Sequence, residues 1–436
     1  MKQKILFICL CFVLAIRGYA QQSLSLKEVV QLVLNNNYDI RISDFGKQIA
    51  ANQNTLANAG GMPRVRLLSD LRYGLQGVQD PTSVATGILH SVGITPKVQT
   101  DWILFGSKRV KNAKIALETK EKGSNLEYQL TVESSLIAAI TLYYQGLLLI
   151  DRQKSIKSLL ERSKKDWESS KVQFEKGNIS GYDFNQKQSA LWSDSSNYLT
   201  TIIQLDKLYS QLKKVCAIED TVSIAVAGQL PNEFPSYDYK NLKSTVKQNN
   251  YRLRLESSYL HLKKLDTEIQ KANRKPLIAL TNQVYTDFQY IESQFTDVNF
   301  ATNIRFFIGL SLSWTLWDAG KTKSVIRSAE LNYEKETLNQ EKMEHDIFNT
   351  LYNVHKAYDL RKQMLEVKQK SLAAIKYNFE LSDKRYKKGL MGGFEYFQVK
   401  KSYEKASSEV LEAQHQVMMQ ELELIRMSGG ILDFVN

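Results

Sequence analysis

The sequence is poor in proline, which makes up only 6 of its 436 residues. Proline interrupts helices because it lacks a backbone N–H and clashes with the preceding turn. Stretches of dozens of residues contain none, so long uninterrupted helices are permitted. A chain of two or three small, loop-rich domains, which the length alone would suggest, is disfavoured.

Cysteine is scarce too, and two of the 3 cysteines lie in an N-terminal segment typical of a secretory signal peptide. Residues 1–20 contain Lys2 and Lys4, an uncharged apolar run, and small residues at the end. The run is too short for a transmembrane helix. The mature chain would keep only Cys216, which excludes a disulfide within one chain and is interpreted as a small apolar residue.

Long hydrophobic runs are also missing after this segment. No stretch reaches the roughly 18 apolar residues of a membrane-spanning helix. The richest, residues 136–150, is short and contains Gln145. Lateral packing along a helix is favoured there, and a membrane span is the alternative.

Charge and histidine content exclude two further classes of protein. The formal net charge of +12 falls to +9 without the signal peptide, and basic residues alternate with acids along the helices. Solvated helix faces are therefore expected rather than a nucleic-acid surface. The histidines show no metal-ligand spacing: His90, His261, His345, His355 and His415. No enzymatic activity, cofactor or metal site is predicted.

One short motif resembles a phosphate-binding loop. Gly320-Lys321-Thr322 follows an alternating segment and precedes a helical one. A Walker loop also needs a glycine five positions before the second one, where this chain has Thr315. A bend from strand to helix explains the motif better than a nucleotide site.

The chain contains an internal repeat. Trp102 and Trp314 lie in similar segments 212 positions apart, as do Gly177 and Gly389. The segments "NNYDIRI" at 36–42 and "NNYRLRL" at 249–255 match at an offset of 213. The predicted repeats are residues 21–228 and 229–436, with the seam near Pro231 and Pro235.

Each repeat has two segments of alternating polarity, predicted as strand hairpins at about 64–104 and 276–317. The clearest covers 304–316, where every even position is apolar. The residues predicted to face lipid are Ile304, Phe306, Ile308, Leu310, Leu312 and Trp314. Such strands match a membrane β-barrel, and a soluble sandwich is the alternative. Four strands cannot close a barrel, so several chains must share one.

Long helices follow each hairpin, at about 107–176 and 319–388, each about 105 Å long. Glycine-rich turns then lead to return helices at about 182–212 and 394–427. A leading helix at about 26–58 is predicted to stack end to end with the return helix beside the long one. The expected fold is α+β, with strands of several chains in one barrel and antiparallel helical coils continuing it.

The opening "LSLKEVVQLVLNNNYDI" (24–40), the bend "WTLWDAGK" (314–321) and the turn "YKKGLMGGFEYFQVKKSY" (386–403) resemble the TolC-type outer-membrane efflux proteins. The resemblance covers residues 21–436. It implies a homotrimer with a twelve-stranded barrel in outer-membrane lipid and a periplasmic helical tunnel. It also implies a periplasmic adaptor and an inner-membrane pump as partners.

The same resemblance implies roles for the two glycine turns. The residues expected to contact the adaptor are Gly177, Asn178, Ile179, Gly389, Leu390 and Met391. Asp183 and Glu395 occupy the acidic gate positions. Gln398 stands where the second tip of the family often has another acid, and Gln186 occupies the matching place in the first repeat. Asp183 and Glu395 also suit helix N-termini, where the macrodipole favours acids. The predicted function is a passive outer-membrane duct for small molecules or polypeptides, and a soluble periplasmic coiled-coil scaffold or adaptor is the alternative.

Overall fold

The computed structural model describes residues 22–78, 87–293 and 296–435. The predicted signal peptide, residues 1–20, lies outside this range. The elements of the first half are β1 (Gln22–Leu24), α1 (Leu26–Asn36), α2 (Tyr38–Gln53), β2 (Arg64–Val78), β3 (Gly87–Phe105), α3 (Arg109–Glu175) and α4 (Gly181–Cys216). Those of the second half are β4 (Ile224–Val226), α5 (Tyr239–Asn249), α6 (Tyr251–Ala272), β5 (Leu277–Ser293), β6 (Thr296–Ser313), α7 (Lys321–Lys387), α8 (Gly393–Met427) and α9 (Ile431–Val435).

The chain divides into two compact units that cut across the sequence repeat. The first unit comprises the described residues of Met1–Phe45, Glu127–Arg254 and Met343–Asn436. The second comprises Gly46–Leu126 and Leu255–Lys342, and it contains the four long strands. Both 67-residue helices, α3 and α7, contribute residues to each unit.

The hydrophobic core of the first unit explains the apolar stretch of α3. Leu136, Ala139 and Ile140 are fully buried, and Tyr143 is nearly so. They belong to one cluster with residues of α1, α4, α7 and α8. Within the described residues, α3 is the one helix whose length and composition would suit a membrane span. Burial in this core accounts for that composition.

The leading helix differs from the prediction, because it breaks at Asn37 into α1 and α2. The side-chain oxygen of Asn37 accepts the N–H of Ile40 at 3.1 Å, and its amide donates to the carbonyl of Val215 at 2.8 Å. The second helix then ends at Gln53 rather than near residue 58. The polarity pattern missed the break because a single asparagine does not interrupt the helical spacing of apolar residues.

Asn250 repeats this arrangement in the second half. Its oxygen accepts the N–H of Arg252 at 3.0 Å and of Leu253 at 3.1 Å, and its amide donates to the carbonyl of Met427 at 2.9 Å. Each asparagine therefore begins one helix and satisfies a carbonyl at the end of a return helix. The shared "NNY" motif marks the same joint in both repeats.

Two further features were not predicted. The short strands β1 and β4 pair in parallel, with Ser23 opposite Ala225. The segment around the predicted seam has no helix or strand between β4 and α5, and the hydroxyl of Tyr358 donates to the carbonyl of Pro235 at 2.6 Å.

Replacement of Asn250 by alanine should lower the free energy of unfolding by about 1–3 kcal/mol, because it removes a helix cap and leaves the buried Met427 carbonyl without its donor. Chemical unfolding followed by circular dichroism measures the effect. Asn249→Ala is the matched control, since the side chain of Asn249 is exposed. Equal stability of the two variants would contradict this role of Asn250.

Candidate functional site

The four long strands form one antiparallel sheet in the order β2-β3-β5-β6. Its register aligns apolar residues in rows across all four strands, because residues opposite each other lie on the same face. One row joins Leu67, Val98, Val284 and Phe306. The predicted face of β6 is formed by Ile304, Phe306, Ile308, Leu310 and Leu312, which are exposed by 58–76% in the single chain. The sheet thus has one predominantly apolar face, in which a neighbouring row includes the polar residues Thr100 and Asn282.

Trp314 lies outside strand β6, contrary to the prediction from the sequence. Strand β6 ends at Ser313, and the indole N–H of Trp314 donates to the carbonyl of Arg274 at 3.0 Å. In the first repeat the indole of Trp102 donates in the same way to the carbonyl of Gly61 at 3.0 Å. Both tryptophans therefore fasten the end of a strand to the segment that leads into its hairpin.

The opposite face of the sheet is polar and crossed by ion pairs. Arg66 on β2 contacts Asp101 on β3 at 2.7 Å, and Lys97 on β3 contacts Asp70 on β2 at 3.3 Å. The hydroxyl of Thr95 donates to Asp287 on β5 at 2.8 Å. Phe307 is an apolar residue on this side of β6, and it lies opposite Gln283.

The bend after β6 explains the Gly320-Lys321-Thr322 motif. The carboxylate of Asp318 accepts the N–H of Thr322 at 2.8 Å and also its hydroxyl, so Asp318 caps α7. These bonds hold the pKa of Asp318 below its usual value. Gly320 has a φ of +86°, which favours glycine. The motif therefore turns a strand into a helix, as the sequence analysis expected.

The two glycine turns have the same backbone geometry. Gly177 and Gly389 have φ values of +74° and +72°. The N–H of Asn178 donates to Gln173 and that of Leu390 to Arg385, at 2.8 and 2.9 Å. Each turn is a Schellman motif, in which a left-handed glycine satisfies the last carbonyls of a helix. Next to each glycine, Asn178 and Leu390 are exposed, and Ile179 and Met391 are half-buried.

The four predicted gate residues lie in the first turns of the return helices, and all are exposed. Asp183 belongs to a helix cap, because its N–H donates to Ser180 at 3.1 Å and its carboxylate accepts the Ser180 hydroxyl at 2.7 Å. Glu395 begins α8 without such a cap, since Gly392 stands in the place of Ser180. Gln186 and Gln398 lie one helical turn further along.

The sequence analysis missed an aromatic cluster beside the second turn. Tyr386 and Tyr396 stack with ring centres 4.4 Å apart. The hydroxyl of Tyr396 donates to Asp383 at 2.9 Å and accepts from Arg162 at 3.3 Å. Lys387, followed by Tyr396, holds the pKa of Asp383 below its usual value. The aromatic residues on both sides of Gly389 were the available signal.

The residues considered for catalysis do not converge. No group of three or more His, Cys, Asp or Glu residues that could hold a metal occurs in the part of the chain that the structure describes. Cys216 is fully buried, and burial raises the pKa of its thiol to about 11. Its environment is that of an inert core cysteine.

Comparisons with known proteins agree with this geometry. Residues 244–430 match the sequence model of the outer membrane efflux protein family. A comparison with curated proteins finds no match. The family match covers most of the second repeat, which contains strands β5 and β6 and helices α7 and α8. This confirms the resemblance drawn from the motifs.

Solved structures of two outer membrane channels and of an outer membrane protein have the same fold. The CmeC channel of Campylobacter jejuni is 16% identical with a TM-score of 0.78, covering 93% of this chain and 85% of that one. VceC of Vibrio cholerae is 13% identical with a TM-score of 0.74, covering 93% and 96%. The open MtrE channel of Neisseria gonorrhoeae is 16% identical with a TM-score of 0.70, covering 93% and 89%. The predicted fold class is confirmed.

The backbone geometry of the second glycine turn can be tested by substitution. Gly389→Ala forces an L-residue into the left-handed region, at a cost of about 1–2 kcal/mol, so the turn should open more often. Hydrogen exchange of a peptide covering residues 385–393 should then be faster. Gly393→Ala is the control, because Gly393 begins α8 and a Cβ there would meet only Tyr386 at 4.0 Å. Equal exchange in both variants would contradict the assigned turn geometry.

Proposed function

We propose that this protein is the outer-membrane channel of a tripartite efflux or type I secretion system. It provides a passive path from the periplasm to the exterior for small molecules or polypeptides. An inner-membrane pump supplies the energy and a periplasmic adaptor connects the two. The observation that carries the proposal is the sheet with one predominantly apolar face, combined with the match of residues 244–430 to the outer membrane efflux protein family.

A homotrimer follows from the chemistry of this sheet. Strands β2 and β6 are the edges of the sheet within one chain. An edge facing lipid would leave backbone groups without hydrogen bonds, each at a cost of several kcal/mol. Four strands from each of three chains make a closed barrel of twelve, in which β6 of one copy pairs with β2 of the next. The apolar face then contacts outer-membrane lipid and the ion-paired face lines the water-filled interior.

The alternative is a soluble periplasmic scaffold or adaptor. Such a protein would have to expose to water the whole apolar face of the sheet, including side chains such as Leu310 at 69% and Ile304 at 76%. Contiguous apolar surface of this extent is rare on soluble monomers.

Cell fractionation separates the two functions. A channel should appear in the outer-membrane fraction and resist extraction by high salt, whereas a scaffold should be released by osmotic shock. Release by osmotic shock would overturn the channel proposal. If the protein stays in the outer-membrane fraction, mass spectrometry of the intact purified complex would identify the adaptor and the pump.

The helical tips supply the proposed gate and the proposed adaptor contacts. We assign adaptor contact to the exposed backbone and side chains of the two glycine turns, residues 177–179 and 389–391.

Asp183 and Glu395 give six carboxylates in a trimer, and like charges at a narrow opening attract cations. Gln186 and Gln398 add hydrogen-bonding groups without charge. The cap made by Ser180 and Asp183 is compatible with this role, because the carboxylate stays exposed.

Leu310→Arg tests the lipid-facing assignment. An arginine at this depth should cost about 2–4 kcal/mol in each chain and prevent insertion into outer membranes. Ser311→Arg is the matched control, because Ser311 is the next residue on the same strand and lies on the polar face. The measurement is the amount of trimer in washed outer membranes. Normal insertion of Leu310→Arg would reverse the assignment of the faces.

The double variant Asp183→Asn with Glu395→Gln tests the gate. It should weaken the preference for cations and the block by divalent cations in single-channel recordings from planar bilayers. Asp206→Asn with Glu412→Gln is the control, since it removes the same charges from exposed positions further along the same two helices. Unchanged selectivity in the first variant would leave both acids as helix-terminal residues only.

A further inference from the structure

A cavity of about 250 Å³ lies in the first unit. Its walls come from α3, α6 and α8. The lining residues are Leu130, Thr131, Glu133, Ser134, Arg252 and Arg426. The volume of the cavity suits a molecule of a few non-hydrogen atoms. The cavity has no role in the channel function proposed above.

Glu133 is the unusual member of this lining. The residue is only 5% exposed, and its atom Oε1 is buried without a hydrogen-bond partner. A buried carboxylate oxygen without a partner costs free energy, which a protonated carboxyl or a bound ligand would avoid. Burial raises the pKa of Glu133 to about 7, with Glu423 adding to the rise and with Arg426 and Arg252 opposing it.

Two guanidinium groups line the same cavity, that of the exposed Arg252 and that of Arg426. Arg252 lies in the first turn of α6 and Arg426 in the last turn of α8. The bond from Asn250 to the carbonyl of Met427 joins these two helix ends, so it also sets the spacing of the two arginines. The Asn250 joint therefore builds the site as well as the fold.

The charges of the cavity favour an anion. Arg426 is already paired with Glu423 through two contacts, at 2.7 and 2.5 Å. Arg252 adds a further positive charge. With Glu133 protonated, the four groups have a net charge of +1, and with Glu133 ionised they are neutral. A cation would meet two guanidinium groups and is disfavoured.

The repeat shows that the fold does not require these charges. By the offsets of the repeat, Arg252 corresponds to Asp39, Arg426 to Lys214 and Glu133 to His345. His345 is exposed, whereas Glu133 is buried. The asparagine joint is thus present twice, but the combination of a buried carboxyl and two arginines occurs only in the second position.

We propose that this cavity binds a small organic carboxylate together with a proton. The protonated carboxyl of Glu133 donates a hydrogen bond to one ligand oxygen, and the guanidinium of Arg252 holds the ligand carboxylate as a bidentate partner. The remaining N–H groups of Arg426 complete the site. Ionised Glu133 would repel the ligand, so binding weakens as pH rises through the pKa of this residue. The site is separate from the gate and does not depend on the channel proposal.

Isothermal titration of the purified full-length protein in detergent with sodium propionate tests the site, in buffers free of other carboxylates. Propionate stays ionised between pH 6 and 8.5, so only the protein changes its protonation. With a pKa near 7, the affinity should fall about 30-fold between these values. No binding at pH 6, or equal binding at both values, would overturn the proposal. Equal binding of chloride would overturn the assignment of a carboxylate ligand.

Three variants separate binding from folding. Glu133→Gln keeps the shape and a donor, so it should bind propionate at pH 8.5 and lose the pH dependence. Arg252→Gln should weaken binding at least tenfold. Arg254→Gln is its matched control, because Arg254 lies on the same helix and does not line the cavity. Equal binding by the two arginine variants would contradict the site, and so would unchanged pH dependence in Glu133→Gln.

Discussion

The unpaired edges of the four-stranded sheet constrain the rest of this molecule. Within the described residues of one chain, β2 and β6 have neighbours on one side only. In the proposed channel the apolar face of the sheet lies in lipid, where no water can satisfy an edge. Pairing with strands of other copies is then the physical solution. The helices must leave the sheet at the bends after β3 and β6. At the bend after β6, Asp318 caps α7 and Gly320 is left-handed, whereas at the bend after β3 the left-handed residues are Ser107 and Lys108. The strand-end tryptophans Trp102 and Trp314 add one hydrogen bond at each bend.

Duplication solves a second problem, which is how to stabilise long helices without a single globular core. Asn37 and Asn250 each end one short helix, begin another and bind the last carbonyls of a return helix. One polar side chain thus replaces several backbone bonds that a helix end would leave unmade. The two Schellman turns at Gly177 and Gly389 likewise satisfy the last carbonyls of a helix. The same pattern of hydrogen bonds therefore occurs in both repeats, at the two asparagines and at the two glycine turns.

Most of the fold could be predicted from the sequence because its signals were periodic and occurred twice. The even-numbered residues from Ile304 to Leu312 defined a strand face, and the constant offset between Gly177 and Gly389 defined the turns. The break at Asn37 could not be predicted, since a capping asparagine and a tolerated helical asparagine look alike until the distant Val215 carbonyl is known. The strand end at Ser313 was missed for a related reason, because Trp314 continues the alternation although its indole bonds to Arg274. Glu133 carried no signal either, because its burial comes from helices far apart in the sequence.

Side-chain charge, by contrast, differs between the repeats where the backbone does not. Ser180 caps the first return helix through Asp183, whereas Gly392 leaves the second without a side-chain cap. Aromatic stacking of Tyr386 on Tyr396 and the bond from Arg162 supply stability at the second tip instead. A duplicated backbone needs the same turns in both copies, but it leaves the surrounding side chains free to diverge. The places where the two halves differ, at the tips and around Glu133, are therefore where specificity can arise without disturbing the shared frame.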